Sequence, residues 1–597
     1  MLTTLTAPAF AGTWYIEDGD ITISAGKTEG TNKVTQGTTT DEEDTNTTIT
    51  NREEGASSHT VTIDAKDKDD KVEVTLKDVN IDASSRSEAA VSVTGKGDTT
   101  IELDGDNELK SGAGHAGLEH NKTDTSGELT IQDKDKNGSL EAAGGFKGAG
   151  IGSAGSNDAQ VKITGGNITA TSDDWGAGIG SGSYGTGTVE ITGGEINATG
   201  GYLGAGIGGG CNGSGNVTIS GGTITAAGGD GAAGIGGGYY NGATVTITGD
   251  AVIKNASTTV YGAGIGGGNG YDGDATISGN AKIENATGGY GAAGIGGGAF
   301  SSPDKIGNGN VVIKDNAKID NVQGGAYGAG IGGGIYGLSN VTIEGNTKVN
   351  ATGGAGGAAI GGGAGAENNS DNNGNQITIK SNENGSPTIN AVGGGTDEGE
   401  EIVIGGAGIG AGCESDADAD ITLEGKVTIT ATAGKDNVAI GANGIEQEFS
   451  GLAEGSSITR YDSEGNDTSL PGDKVPVTPV VPDDTSSGGS ADASVQESVF
   501  PGLVVTDKDG QRISYTSIRG NNVLSIRVGR FTASLHASLA TLRQLRAEGI
   551  DTITFQTILC STTLSVDELL AMGGEDTEVV LTHHIRSSTL TVGGKAV

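Results

Sequence analysis

From about residue 141 to residue 445, apolar and polar residues alternate in short runs, and the runs recur about every 30 residues. The unit from Gly204 to Ala232 is representative. It reads Gly204-Ala205-Gly206-Ile207-Gly208, then Val217-Thr218-Ile219, a Gly221-Gly222 break, and Thr223-Ile224-Thr225-Ala226. Apolar residues at every second position predict strands with one buried face. Helical periodicity is absent, and so many glycines would be costly in a helix. Three short strands in roughly 28 residues, separated by Gly-rich turns, predict one coil of a solenoid whose units complete their core on one another.

The phrase that marks each coil centres on Ile151, Ile179, Ile207, Ile235, Ile265, Ile295, Ile331, Ile360 and Ile409, and fades at Ile440. The predicted fold class is therefore all-β: a parallel β-helix of about 30 residues per coil, with coils ~4.8 Å apart. Alternation sends Ala205 and Ile207 inward and Gly206 and Gly208 outward. The expected exterior of that strand is a strip of nearly bare backbone, and glycine in a strand often marks close approach of a ligand or another backbone.

Aromatic residues flank the glycines. Before the repeat isoleucines come Phe146, Trp175, Tyr202, Tyr261, Tyr290 and Tyr327, and after them Tyr184, Tyr239, Tyr240, Tyr271, Phe300 and Tyr336. Stacking would turn them into two rows. One reading is that the rings shield the coil corners. The other is a groove for an extended sugar polymer, because amphipathic rings offer apolar faces and a hydrogen-bonding tip. A third row, Asn197, Asn255, Asn285, Asn321, Asn350 and Asn390, is expected to hydrogen-bond from coil to coil.

The chain divides by composition. Residues 1–11 end in Ala9-Phe10-Ala11 and read as the remnant of a signal peptide. Residues 12–140 are more polar and read as N-terminal coils and cap, with Ala89-Ala90-Val91 and Ala116-Gly117-Leu118 as degenerate coils. Residues 141–450 are the regular helix, with insertions at 301–308, 367–375 and 396–401. Residues 451–498 hold a Pro-, Ser- and Gly-rich linker. Residues 499–597 read as a small α/β module. There Leu535, Leu539 and Leu542 recur at helical spacing, and Ser565 with Glu568 makes a capping box.

A net charge of −41 argues against nucleic acid, whose binding rests on Lys and Arg neutralising phosphates. No stretch is apolar and long enough to span a bilayer. The expected protein is secreted or attached to a cell surface, monomeric and without membrane insertion. Cys211 and Cys413 occupy equivalent places in coils too far apart to bridge. His583-His584 lacks a third ligand at metal spacing and reads as strand-end residues.

Catalysis has little to work with. No Arg lies between Arg86 and Arg460, and no His between His120 and His536. A hydrolase would need two carboxylates at fixed separation, and Asp173-Asp174 has no visible partner. The run Asp416, Asp418, Asp420 offers oxygens to calcium, the one cofactor the sequence suggests, beside the reading of a solvated acidic turn.

Residues 72–112, with the strand from Leu76 to Ile81, the Ser84-Ser85 turn, the Ala89 to Val93 strand and the run from Ile101 to Asn107, resemble secreted bacterial carbohydrate-binding β-helix domain proteins. The resemblance implies a right-handed parallel β-helix, similar in shape to pectate lyases, that binds plant-type polysaccharide, sometimes with calcium. The expectation is a non-catalytic adhesion protein with polysaccharide, of plant or cell-wall type, as partner. Its contact residues would be Trp175, Tyr184, Tyr202, Tyr239, Tyr240, Tyr261, Tyr271, Tyr290, Tyr327 and Tyr336. The alternatives are a spacer or protein-binding adhesin, and a polysaccharide lyase or hydrolase.

Overall fold

Each coil contributes three strands, one to each of three parallel ladders. In the computed structural model of the chain, the described residues are 11–299, 306–368, 374–397, 403–476 and most of 503–596. The signal-peptide reading, most of the three insertions, Phe300 and the linker from residue 477 onward lie outside them.

The specimen coil shows how sequence becomes position. Ile207–Gly208 is a two-residue strand beneath Ile235–Gly236 and above Ile179–Gly180. Gly215–Ile219 pairs in register with Gly187–Ile191 and Ala243–Ile247. Thr223–Ala227 pairs with Glu195–Thr199 and Val252–Ser257. Ile207, Val217, Ile219, Ile224 and Ala226 are all buried. Full burial of an Ile or Val contributes ~2 kcal/mol, so a narrow inner column suffices where a globular core would need more apolar residues.

That column begins well before residue 141. Ile21 stacks on Val61, Val61 on Val91, Val91 on Leu118, and Leu118 on Ile151. The degenerate coils read at Val91 and Leu118 are thus members of the stack. The cap is shorter than the sequence suggested. Asn32–Gln36 runs antiparallel to Ile21–Ala25 and takes its free edge, and Thr39–Asp44 folds back on it. The hairpin hands the edge of the ladder to Thr39–Asp44, whose acidic sequence discourages pairing with another chain. Asp44 accepts hydrogen bonds from the Gly12 amide and from Trp14 Nε1, both at 2.8 Å.

Arg86 ties this end together by bridging to Asp20 at 2.9 Å. The guanidinium holds the Asp20 carboxyl down at about 2. A depressed carboxylate adds stability above its unfolded value, near 4, and that stability is lost as pH falls toward 2. Acid should therefore loosen the N-terminal coil in that window. Trp14 fluorescence, read in a Trp175→Phe background, should change between pH 4 and 2, and an Asp20→Asn variant should lose the transition.

The other end corrects the linker boundary. Ser457–Tyr461 is a strand in register with Thr428–Thr432, so the helix continues past residue 451. Arg460 stands where Ala431 stands one coil earlier, fully buried, and bonds Asp473 and Glu446. Composition favoured a linker because buried ion pairs share the closing of this end with only a few apolar residues, Phe449, Leu452 and Ile458.

The predicted asparagine row forms in part and on the exterior. Asn321 Nδ2 donates to Asn285 Oδ1 at 3.1 Å, while Asn285 and Asn350 bond backbone carbonyls of the preceding coil. A second ladder joins Asp250, Asn280, Asn316 and Asn346.

The described residues from 503 to 596 belong to a separate unit. A five-stranded sheet and a four-stranded sheet accompany helix α1 (Leu539–Ala547) and helix α2 (Val566–Leu570). Ser565 caps α2 by accepting from the Glu568 amide, as the capping box predicted. His583 is buried beside Phe555 between the Thr557 and Thr562 hydroxyls, a strand residue as expected. Among the described residues no helix is long and apolar enough to cross a membrane.

Candidate functional site

The glycine strip is not an open floor. Residues 204–211 are all buried, including Gly206 and Gly208, which alternation had sent outward. A Cβ on Gly206 would sit 2.6 Å from the Gly234 carbonyl oxygen. Gly208 has φ +131°, and a Cβ there would lie 2.1 Å from the Gly236 oxygen. The backbone is pinched rather than extended: the Ala205 amide donates to the Gly209 carbonyl at 2.9 Å, leaving Ile207 between them. The close approach read from glycine is that of the next coil, not of a ligand.

On either side of the pinch the chain makes a tight turn. The entry turn of the specimen is Gly201-Tyr202-Leu203-Gly204, closed by Gly204 N to Gly201 O at 3.0 Å. The exit turn is Gly210-Cys211-Asn212-Gly213, closed by Gly213 N to Gly210 O at 2.7 Å. The entry turn of one coil lies beside the exit turn of the next. Cys211 N donates to Trp175 O, Tyr239 N to Leu203 O, and Asn269 N to Gly231 O. Both predicted aromatic rows therefore run along one corner of the solenoid.

All ten predicted contact residues are on that corner. Trp175, Tyr202, Tyr261, Tyr290 and Tyr327 come from entry turns, and Tyr184, Tyr239, Tyr240, Tyr271 and Tyr336 from exit turns. Tyr184 and Tyr202 are most open, 59% and 58% exposed, Tyr290 is also exposed, and the rest are half-buried. The rows are broken rather than continuous, because Asp230-Gly231 interrupts the entry turns. Phe146 and Trp175 pair at 5.2 Å between ring centroids, with the Lys147 ammonium over both. Tyr239 and Tyr240 pair at 3.9 Å. Tyr290 meets Tyr261 edge-on at 6.1 Å and Tyr327 at 5.6 Å. Burial and the Tyr240 hydroxyl push the Tyr239 phenol up to about 12, so it stays a donor at any physiological pH.

Five of these tyrosines stand in left-handed backbone, a conformation that Lys147 and Asp436 share at the entry position and Ser156, Asn212 and Glu414 at the exit position. Tyr261 and Tyr327 have φ of 61° and 72° at one entry-turn position, where Gly231, Gly291 and Gly356 stand in other coils. Tyr184, Tyr240 and Tyr336 have φ of 65°, 62° and 62° at one exit-turn position, where Gly270 and Gly365 stand elsewhere. Left-handed backbone costs a non-glycine residue ~1 kcal/mol, and here glycine is the demonstrated alternative. Lys, Asp, Ser, Asn and Glu bear the same φ in other coils, so the strain belongs to the turn, and what the tyrosines add is a ring on the corner. The signal was present in the sequence as mixed turn positions, with tyrosine, glycine and aspartate at the entry and tyrosine, glycine and asparagine at the exit, mixtures in which Gly, Asn and Asp favour positive φ.

A family model described as "Beta helix repeat" matches residues 161–183, 189–211 and 217–239. By fold the chain is a β-helix repeat protein. Each match spans one coil from the strand containing Val161, Val189 or Val217 to its exit turn. No curated protein and no solved structure matches this chain significantly.

The carboxylates of the β-helix fall differently from the sequence expectation. Asp416, Asp418 and Asp420 are exposed, with buried Ala417 and half-buried Ala419 between them, and their oxygens do not converge. Glu102, Asp133 and Asp135 do bring ligand atoms within 4.8 Å of one another. That group is already served. Asp133 accepts from the Asn137 and Gly138 amides, and the Lys134 ammonium lies between Glu73 and Glu102 at 2.7 and 3.5 Å.

Proposed function

We propose that this β-helix is a non-catalytic carbohydrate-binding protein of the cell exterior, and that its aromatic corner holds an extended polysaccharide. The observation that carries this reading is the gathering of the ten aromatic side chains on one corner, five of them in left-handed backbone that other coils give to Gly, Ser, Asn, Lys, Asp or Glu. A row pitch set by the ~4.8 Å coil spacing is of the same order as one sugar ring. Rings that meet edge-on, as Tyr261, Tyr290 and Tyr327 do, leave parts of their apolar faces for a sugar. Tyrosine hydroxyls supply the hydrogen bonds at the rim. Binding of this kind needs no metal, so chelation should leave it unchanged.

The test is affinity electrophoresis or pull-down against a panel of neutral plant and cell-wall polysaccharides. Tyr202→Ala with Tyr290→Ala removes two exposed rings that lie outside the left-handed positions. A ring contact is worth about 1 kcal/mol, so the pair should weaken retention about 10-fold or more without a change in melting temperature. Retention equal to that of the unaltered protein would point to a spacer or protein-binding role. Release of reducing sugar would point to an enzyme.

A further inference from the structure

The aromatic row stops at Phe146. In the preceding coil the entry turn offers Ala113 in its place, and beside these turns a cleft of about 600 Å³ runs across the coils from Ser84 to Asp173. Its walls include Ser84, Lys110, Phe146, Thr171 and Asp173. The far wall is tied down, because Lys110 Nζ reaches Asp82 at 3.7 Å and the Ser84 amide donates to the same carboxylate at 2.9 Å. On the open side stand Phe146 and Trp175, with Lys147 across both rings.

A groove meant for the middle of a long polymer is open at both ends. This one has rings leading into it from one side, and on the other no ring, only the solvent-facing Lys110–Asp82 pair. Resting on the polysaccharide reading above, we propose that the cleft takes the terminal sugars of a neutral polysaccharide chain and so fixes the direction in which the polymer lies along the corner. Phe146 supplies the face for a sugar ring. The Asp173 carboxylate accepts from vicinal sugar hydroxyls, and the Lys110 ammonium donates to a sugar oxygen, a pairing suited to a pocket of few polar groups on an aromatic wall. Ser111, deeper in the cleft, is already committed to the Ala90 amide and the Ala116 carbonyl, and only holds the wall.

The experiment uses the full chain, soluble cellohexaose, xylohexaose and mannohexaose by calorimetry, and the polymers by affinity electrophoresis. Lys110 and Asp173 are exposed, so Lys110→Ala with Asp173→Ala should fold normally. For whichever hexaose the unaltered protein binds, this pair should weaken binding about 10-fold or more and leave polymer retention within about threefold. Tyr202→Ala with Tyr290→Ala should do the reverse. Hexaose binding unchanged in the Lys110/Asp173 variant, or polymer retention with no hexaose bound by the unaltered protein, overturns the chain-end site alone. If the unaltered protein retains no polymer either, the polysaccharide reading falls with it.

Discussion

Gly208→Ala should destabilise the solenoid by ~3 kcal/mol or more, a large effect for a single methyl group. Two costs add. The backbone at φ +131° lies in a region nearly closed to side chains, worth ~1–3 kcal/mol. The new Cβ would also lie 2.1 Å from the Gly236 carbonyl oxygen, an atom of backbone with no room to rotate away. Overpacking of that kind costs a further ~1–3 kcal/mol. Gly395 meets nothing within 4 Å, so Gly395→Ala should stay within ~0.5 kcal/mol of the unaltered protein. Urea unfolding followed by circular dichroism checks both. Equal midpoints for the two variants would mean that the coils are not packed as described.

Arg460→Met should cost ~3–5 kcal/mol at the C-terminal end. The Arg460 side chain is fully buried, with Nε and Nη2 on the two Asp473 oxygens at 2.8 and 3.1 Å, and Nη2 also on the Gln447 carbonyl at 2.8 Å. Nη1 bonds Glu446. Removing the guanidinium strands Asp473, itself only 3% exposed, without its counter-ion. Coils in a solenoid contact only their neighbours, so the damage should stay local. Amide exchange should quicken at Ile440 and Ile458 while Ile207 keeps its protection. Arg460→Lys should recover part of the loss, since one ammonium replaces the charge but not the fork. Uniform loosening of every coil would contradict the cap assignment.

The fold was legible because alternation at period two and repetition near 30 residues are both properties of the text. Val217, Ile219 and Ile224 are each predicted inward and each buried. The pinch at Ile207 was not legible. Ala-Gly-Ile-Gly alternates like a strand, yet the ladder there is only two residues long and the glycines face their own stack. Nor was the C-terminal end, because Arg460 and Asp473 join across 13 residues of polar sequence that reads as linker. The ten aromatic positions share a corner because both turns sit at constant distance from one isoleucine. The breaks in their rows follow from single residues such as Gly231. Their strain became visible only with φ angles, although glycine at equivalent places hinted at it.

The most direct test of the central claim is one pair of measurements on Tyr261→Gly with Tyr327→Gly. Glycine is at home at both turn positions, so the melting temperature should be unchanged or slightly raised. Polysaccharide retention should fall about 10-fold or more. A lower melting temperature with retention intact would show that the rings serve the fold and not a ligand.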